Sequence, residues 1–178
     1  MPTKQECETC SLKSRCIYSV LTKEQRGVLQ FKKVFNRKKK GTILFQEGFP
    51  AYALFMLIRG VIKHSKVGRS DREIFIGFRM DGDLAGLVSV TPNSLYPATG
   101  VGITDTAFCT IPSDVIRHFL SQNTKVADYL FMMFGEVIYK VGERIGELVE
   151  CSTQQRVART LVLLNKYVVE GHKGFELK

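Results

Sequence analysis

Three cysteines stand within the first sixteen residues, Cys7, Cys10 and Cys16, in the spacing C-x2-C-x5-C. A thiolate is a strong nucleophile and a soft metal ligand. Thiolates two and five residues apart on a polar segment can converge on one soft metal centre. A tetrahedral zinc and a four-iron cubane each need a fourth ligand. The candidates are Cys109, Cys151 and the three histidines, His64, His118 and His172. An exposed segment gains nothing from packing three thiols, so the triple reads as a ligand set. Cys109 alone also fits the ordinary case of a small buried hydrophobe. Spacing does not separate iron–sulfur from zinc, and cysteines that simply stay reduced are the third reading.

These residues need a scaffold. The chain has 178 residues, 44% of them hydrophobic and 24% charged, which suits one domain or one and a small part. No apolar run approaches the ~18 residues of a membrane-spanning helix, and Met1 to Cys10 is polar, without an apolar secretory segment. The expectation is a cytoplasmic protein with no membrane partner. Five cysteines without a secretion signal argue against a disulfide framework.

The net charge is +9, concentrated in residues 1–60, which hold twelve basic and four acidic side chains. Its densest part is Lys32, Lys33 and Arg37 to Lys40. Such a patch could approach a polyanion. A solvated turn before a strand explains it equally well, because no aromatic residue interleaves with the run from Arg37 to Lys40.

Residues 1–20 read as a cysteine-bearing arm. Thr22 to Leu29 fits one or two helical turns, with Thr22 and Gln25 as a capping box. From Gly41 to Pro112, nine of the fifteen glycines punctuate short apolar runs. The runs are Thr42–Phe45, Ala53–Ile58, Val61–Ser65, Glu73–Phe78, Leu84–Val90, Ala98–Ile103 and Thr106–Ile111. Turns are expected at Arg69-Ser70-Asp71 and Asp81-Gly82-Asp83. Strands at this spacing predict a jelly roll, an α+β chain that is mainly β, over residues 21–120.

After Pro112 the pattern is helical. Ser113 is a candidate N-cap for a short helix through Leu120. From Thr124 to Glu150, Val126, Leu130, Met133, Val137, Val141, Ile145 and Leu148 recur every three or four residues, a stripe near the coiled-coil period. Gly135, Gly142 and Gly146 sit within it, each costing roughly 1 kcal/mol relative to Ala, and such small residues let another helix approach. We read residues 121–151 as a homodimer helix rather than one packed only on its own roll. The acids Glu143, Glu147 and Glu150 fit its solvated face, with Arg144 among them. A second helix runs Thr153 to Glu170 with Gly171 as its stop, and Phe175 to Lys178 reads as the start of a strand. Residues 152–178 then begin a further, C-terminal region.

The order of cysteine arm, glycine-punctuated roll, Gly82-Asp83-Leu84-Ala85-Gly86-Leu87, then Phe108-Cys109-Thr110-Ile111-Pro112 and a long helix resembles the sensory domain of the Crp/Fnr family of bacterial transcription regulators, specifically its FNR-type oxygen sensors. The resemblance runs from Cys7 to Lys178. It implies a cyclic-nucleotide-binding-like double-stranded β-helix followed by a dimerisation helix. It implies that Cys7, Cys10, Cys16 and Cys109 hold an oxygen-labile [4Fe–4S] cluster, with Cys151 as a bystander. In such sensors the intact cluster favours dimerisation, and the dimer sets a C-terminal helix-turn-helix on DNA. That element would begin just after Leu177, so DNA binding is expected only through a domain missing from this chain. Some relatives carry a charge in the dimer helix; the corresponding position here is Val141, which implies a dimer that persists without the cluster.

Family members that bind cyclic AMP use a Gly-Glu pair and an Arg in the loop after the Gly-Asp turn. From Leu84 to Thr104 this chain has no charged residue, and a buried phosphate would lack its charge-assisted bonds. That argues against cyclic AMP and leaves an uncharged effector open. Three scattered histidines and the absence of a G-x-S-x-G or phosphate-cradling motif argue against an enzyme. The alternative to the sensor is a zinc-stabilised or metal-free roll that binds a small effector or a protein partner.

Overall fold

The structure is a computed structural model that describes residues 6–68 and 70–169. After the arm, a single 3-10 turn at Ile17–Val20 leads to α1 (Lys23–Lys32). The expected capping box forms: the Gln25 amide donates to Thr22 Oγ1 at 3.3 Å and the Thr22 amide to Gln25 Oε1 at 3.1 Å. The helix runs past Leu29 because Val28 to Lys32 contains no breaker.

Eight strands follow: β1 (Val34–Lys38), β2 (Ile43–Phe45), β3 (Ala53–Arg59), β4 (Ile62–Val67), β5 (Glu73–Arg79), β6 (Leu84–Ala85), β7 (Thr99–Gly102) and β8 (Thr106–Pro112). They form two antiparallel sheets, ordered β1-β8-β3-β6 and β2-β7-β4-β5. The jelly roll is therefore as expected. A core of Phe45, Ala53, Phe55, Leu57, Ile62, Ala85, Tyr96 and Phe108 fills it. Phe45 stacks on Phe55 at 5.2 Å and meets Tyr96 at 4.8 Å. The Tyr96 hydroxyl donates to the Ala53 carbonyl at 3.0 Å and accepts from its amide at 3.2 Å, so this buried group is satisfied.

Three expectations change. β1 lies where the basic run suggested a turn: Arg37 and Lys38 end an edge strand, and Lys39 and Lys40 turn beyond it, where Asp105 bonds the Lys39 ammonium at 2.8 Å and the Lys40 amide at 3.0 Å. The run Leu84–Val90 is a strand only to Ala85. Gly86 adopts φ +72°, and Leu87–Val90 coil into a 3-10 turn. Ser113 is the first residue of α2 (Ser113–Gln122) and not its cap, which is Pro112, because the Ser113 amide is already bound to the Tyr52 carbonyl at 3.0 Å. Both expected turns are present around Gly68–Asp71 and Met80–Asp83; Arg69 lies outside the described residues.

α3 spans Thr124–Glu150 and α4 Thr153–Val169. Gly171 and the strand expected at Phe175 to Lys178 lie outside the described residues. Contacts divide the chain into two compact units, 1–133 and 134–178. In the second, Glu147 accepts from Arg144 at 2.8 Å and from Arg159 at 3.4 Å, tying α3 to α4. Ser152 and Gln155 form a capping box for α4. Val141, Ile145 and Leu148 of the apolar stripe are 45–57% exposed within the single chain.

Candidate metal centre

The strand β8 presents two faces. Phe108 enters the aromatic core, so alternation turns Ala107, Cys109 and Ile111 to the other side of the sheet. There Cys109 pairs with Phe35 of β1 and with Met56 of β3, and the three form a second, smaller cluster with Cys16 packed against it. This is why Ala53 to Leu57 of β3 are each at most 3% exposed: the arm and α1 cover the face that a one-sided sheet would leave wet.

The arm is a chain of tight turns. The Cys10 amide donates to the Cys7 carbonyl at 3.2 Å, Lys13 to Cys10 at 3.1 Å, Arg15 to Leu12 at 3.0 Å and Ser19 to Cys16 at 3.0 Å. Buried Ile17 and Tyr18 anchor it. The Cys7 amide donates to Gln30 Oε1 on α1 at 3.0 Å. Arg26 covers the Tyr18 ring at 4.8 Å and donates to its carbonyl at 3.2 Å. The Asn123 amide group donates to the Val20 carbonyl at 3.0 Å and to Gln25 Oε1 at 2.9 Å.

This folding brings Cys7, Cys10, Cys16 and Cys109 to one recess of about 20 Å³, walled by Leu29, Met56, Ile58 and Ile111 and edged by Lys13 and Lys33. Burial pushes the Cys16 thiol up to about 11, and the neighbouring Cys7 and Cys10 add to the effect. Burial pushes Cys109 up to about 12, against the opposing pull of the Lys33 ammonium. Both are therefore held as thiols until a cation or metal compensates a thiolate. Among the described residues, no group of three or more His, Cys, Asp or Glu is drawn tightly enough to hold a single metal ion.

The other candidate ligands sit elsewhere. His64 lies inside the roll, edge-on to Phe45 at 5.3 Å, and burial first, then the charge of Arg79, lowers it to about 3. His118 is on α2, beside Phe119. Cys151 belongs to the second unit, where its amide donates to the Glu147 carbonyl at 3.1 Å. His172 is outside the described residues. Sequence reasoning set Lys33 in a basic run and not at the cysteines, and missed Tyr129; only recognition of β1 could have placed Lys33 two residues before the strand partner of Cys109.

Residues 35–123 match the cyclic nucleotide-binding domain. The chain belongs to that family. Within this family it resembles the anaerobic regulatory protein of Pasteurella multocida, at 24% identity over 97% of this chain and 63% of the relative. It also resembles the transcriptional activator protein anr of Pseudomonas aeruginosa, at 26% identity over 89% and 65%. The chain thus spans about two thirds of the length of the curated relatives it matches. Its fold matches a Crp/Fnr-family transcriptional regulator from Eubacterium rectale with a TM-score of 0.76, at 21% identity, over 87% of this chain and 72% of that one. The two curated relatives are named as a regulatory protein and a transcriptional activator. Among the described residues no helix is long and apolar enough to cross a membrane.

Proposed function

We propose that this chain is the sensory and dimerisation region of a DNA-binding regulator that responds to oxygen or redox state through a [4Fe–4S] cluster held by Cys7, Cys10, Cys16 and Cys109. The observation that carries the reading is the convergence of three arm thiols and one β8 thiol on a single apolar recess. The donor set fits. Around one zinc the sulfurs would lie about 3.8 Å apart, from Zn–S bonds of about 2.3 Å. A cubane takes one thiolate per iron and spreads them wider, which suits four cysteines that share a recess without closing on one point.

A bound cluster would supply an oxygen-labile inorganic centre. The protein's part is to give up the thiol protons, so that loading releases protons, and to exclude water with Met56, Ile58 and Ile111. The recess has room for about one water, so the arm segment between its two anchors moves outward to admit a larger group. The Arg15 carbonyl, one residue before Cys16, accepts from the Tyr129 hydroxyl on α3 at 3.2 Å. This bond ties the arm's geometry to the start of the long helix, the contact through which loading would reach it.

The same reading assigns residues 1–20 to the arm, 21–120 to the roll, 121–151 to dimerisation and 152–178 to the start of the DNA-binding region. The homodimer forms through Thr124 to Glu150, whose exposed Val141, Ile145 and Leu148 lie on one stripe. DNA is bound through a C-terminal domain of the longer regulator, in the reducing cytoplasm. The uncharged stretch Leu84 to Thr104 supports a sensor that does not use cyclic AMP.

Anaerobic purification tests this. The protein should be brown and carry about four irons and four sulfides per chain. A colourless anaerobic protein without iron overturns the reading; one zinc per chain without sulfide favours the structural-zinc alternative.

A further inference from the structure

The cysteines alone leave the charge of the recess unexplained. Four thiolates on an iron–sulfur core form a net anion, and an anion set among apolar side chains needs a counter-charge. We propose that Lys33 is that counter-charge: its ammonium, at the wall of the recess, raises the reduction potential of the centre. The proposal rests on the cluster reading above.

The backbone fixes Lys33 at this place. It is the C-cap of α1, its amide donating to the Leu29 carbonyl at 2.9 Å, and its φ −69° and ψ 148° turn the chain directly into β1. Two residues later Phe35 lies opposite Cys109. Lys33 is half-buried and lines the recess with all four cysteines. The second lysine at the rim, Lys13, is exposed, and its ammonium donates to the Glu8 carbonyl at 3.1 Å. No Asp or Glu is among the described residues lining the recess. A half-buried charge is screened by salt far less than an exposed one, so Lys33 acts on the centre where Lys13 does not.

A lysine at a helix C-terminus also offsets the helix dipole. That role would change stability but not a potential, and the test separates the two. Full-chain wild type, Lys33→Met, Lys33→Arg and Lys13→Met are loaded anaerobically with ferrous iron and sulfide. The midpoint potential and the rate of iron release to a chelator are then measured. Lys33→Met should lower the potential and release iron roughly 10–100-fold faster, the range seen when a group supporting a metal ligand is lost. Lys33→Arg should restore both, and Lys13→Met should stay near wild type. Wild-type potential and release in Lys33→Met, or failure of Lys33→Arg to rescue, overturns the proposal. If Lys33→Met loses its helical circular dichroism, Lys33→Gln carries the same comparison. A wild type without iron and sulfide removes the cluster reading and this proposal together; a loaded wild type with an unaffected Lys33→Met removes only the role of Lys33.

Discussion

The hydroxyl of Tyr129, in the opening turns of α3, donates to the Arg15 carbonyl at 3.2 Å and so joins the cysteine arm to the helix that follows the roll. Tyr129→Phe keeps the ring and removes the bond, a loss of about 0.5–1.5 kcal/mol. Amide hydrogens in the arm between Cys10 and Cys16 should then exchange several-fold faster while those of β3 are unchanged. Equal protection in both proteins would show that the bond does not hold the arm.

The four cysteines of the recess should behave as a set and Cys151 should not. Serine at Cys7, Cys10, Cys16 or Cys109 should each abolish stable iron and sulfide after anaerobic loading, whereas Cys151→Ser should retain both. Loss of iron in Cys151→Ser, or its retention in Cys109→Ser, contradicts the assignment.

The proposed assembly rests on an apolar stripe. Val141 is 45% exposed in the single chain, and Gly135, Gly142 and Gly146 have nothing within 4 Å of where a Cβ would stand. Val141→Glu should give monomers in sedimentation velocity, because an unpaired carboxylate in a helix seam is costly to bury. A dimer of unchanged affinity would place the interface elsewhere.

His64 gives the roll an acid sensitivity. Its folded pKa of about 3 lies below the ordinary 6.5, so between those values the unfolded chain binds the extra proton. Stability from the neutral imidazole is fully present above pH 6.5 and is lost as pH falls towards 3, on the order of 5 kcal/mol in all. Urea unfolding of His64→Leu from pH 7 to pH 4 should show a flatter decline than wild type. Parallel curves would count against a buried neutral His64.

Gly100 is fixed by packing. A Cβ there would stand 2.5 Å from Cζ of Phe45, inside the aromatic core. Gly100→Ala should cost about 1–3 kcal/mol, read as a lower urea midpoint at unchanged slope.

Much of this was legible from residue order. The bounds of α3 follow from its apolar period, and the Thr22–Gln25 box sets the start of α1. Period-two alternation in Thr106 to Ile111 is enough to put Cys109 on the side of Ala107 and Ile111, where it is found. β1 was hidden because Asn36, Arg37 and Lys38 show no apolar alternation, and as an edge strand it needs little. The early end of β6 depends on a left-handed Gly86, which apolarity does not encode. The place of Lys33 beside the cysteines was hidden for a different reason: it comes from the register of β1 against β8, a contact between residues about seventy-five apart.

Cys7 is tied to Gln30, and Val20 to Asn123, so the leading segment is moored at both ends. Its closure entropy is already spent on those two knots. On the cluster reading proposed above, inorganic atoms would enter or leave while the strap merely flexes, without peeling from the roll. Reassembly after damage would then be a local event, set by the supply of iron and sulfide.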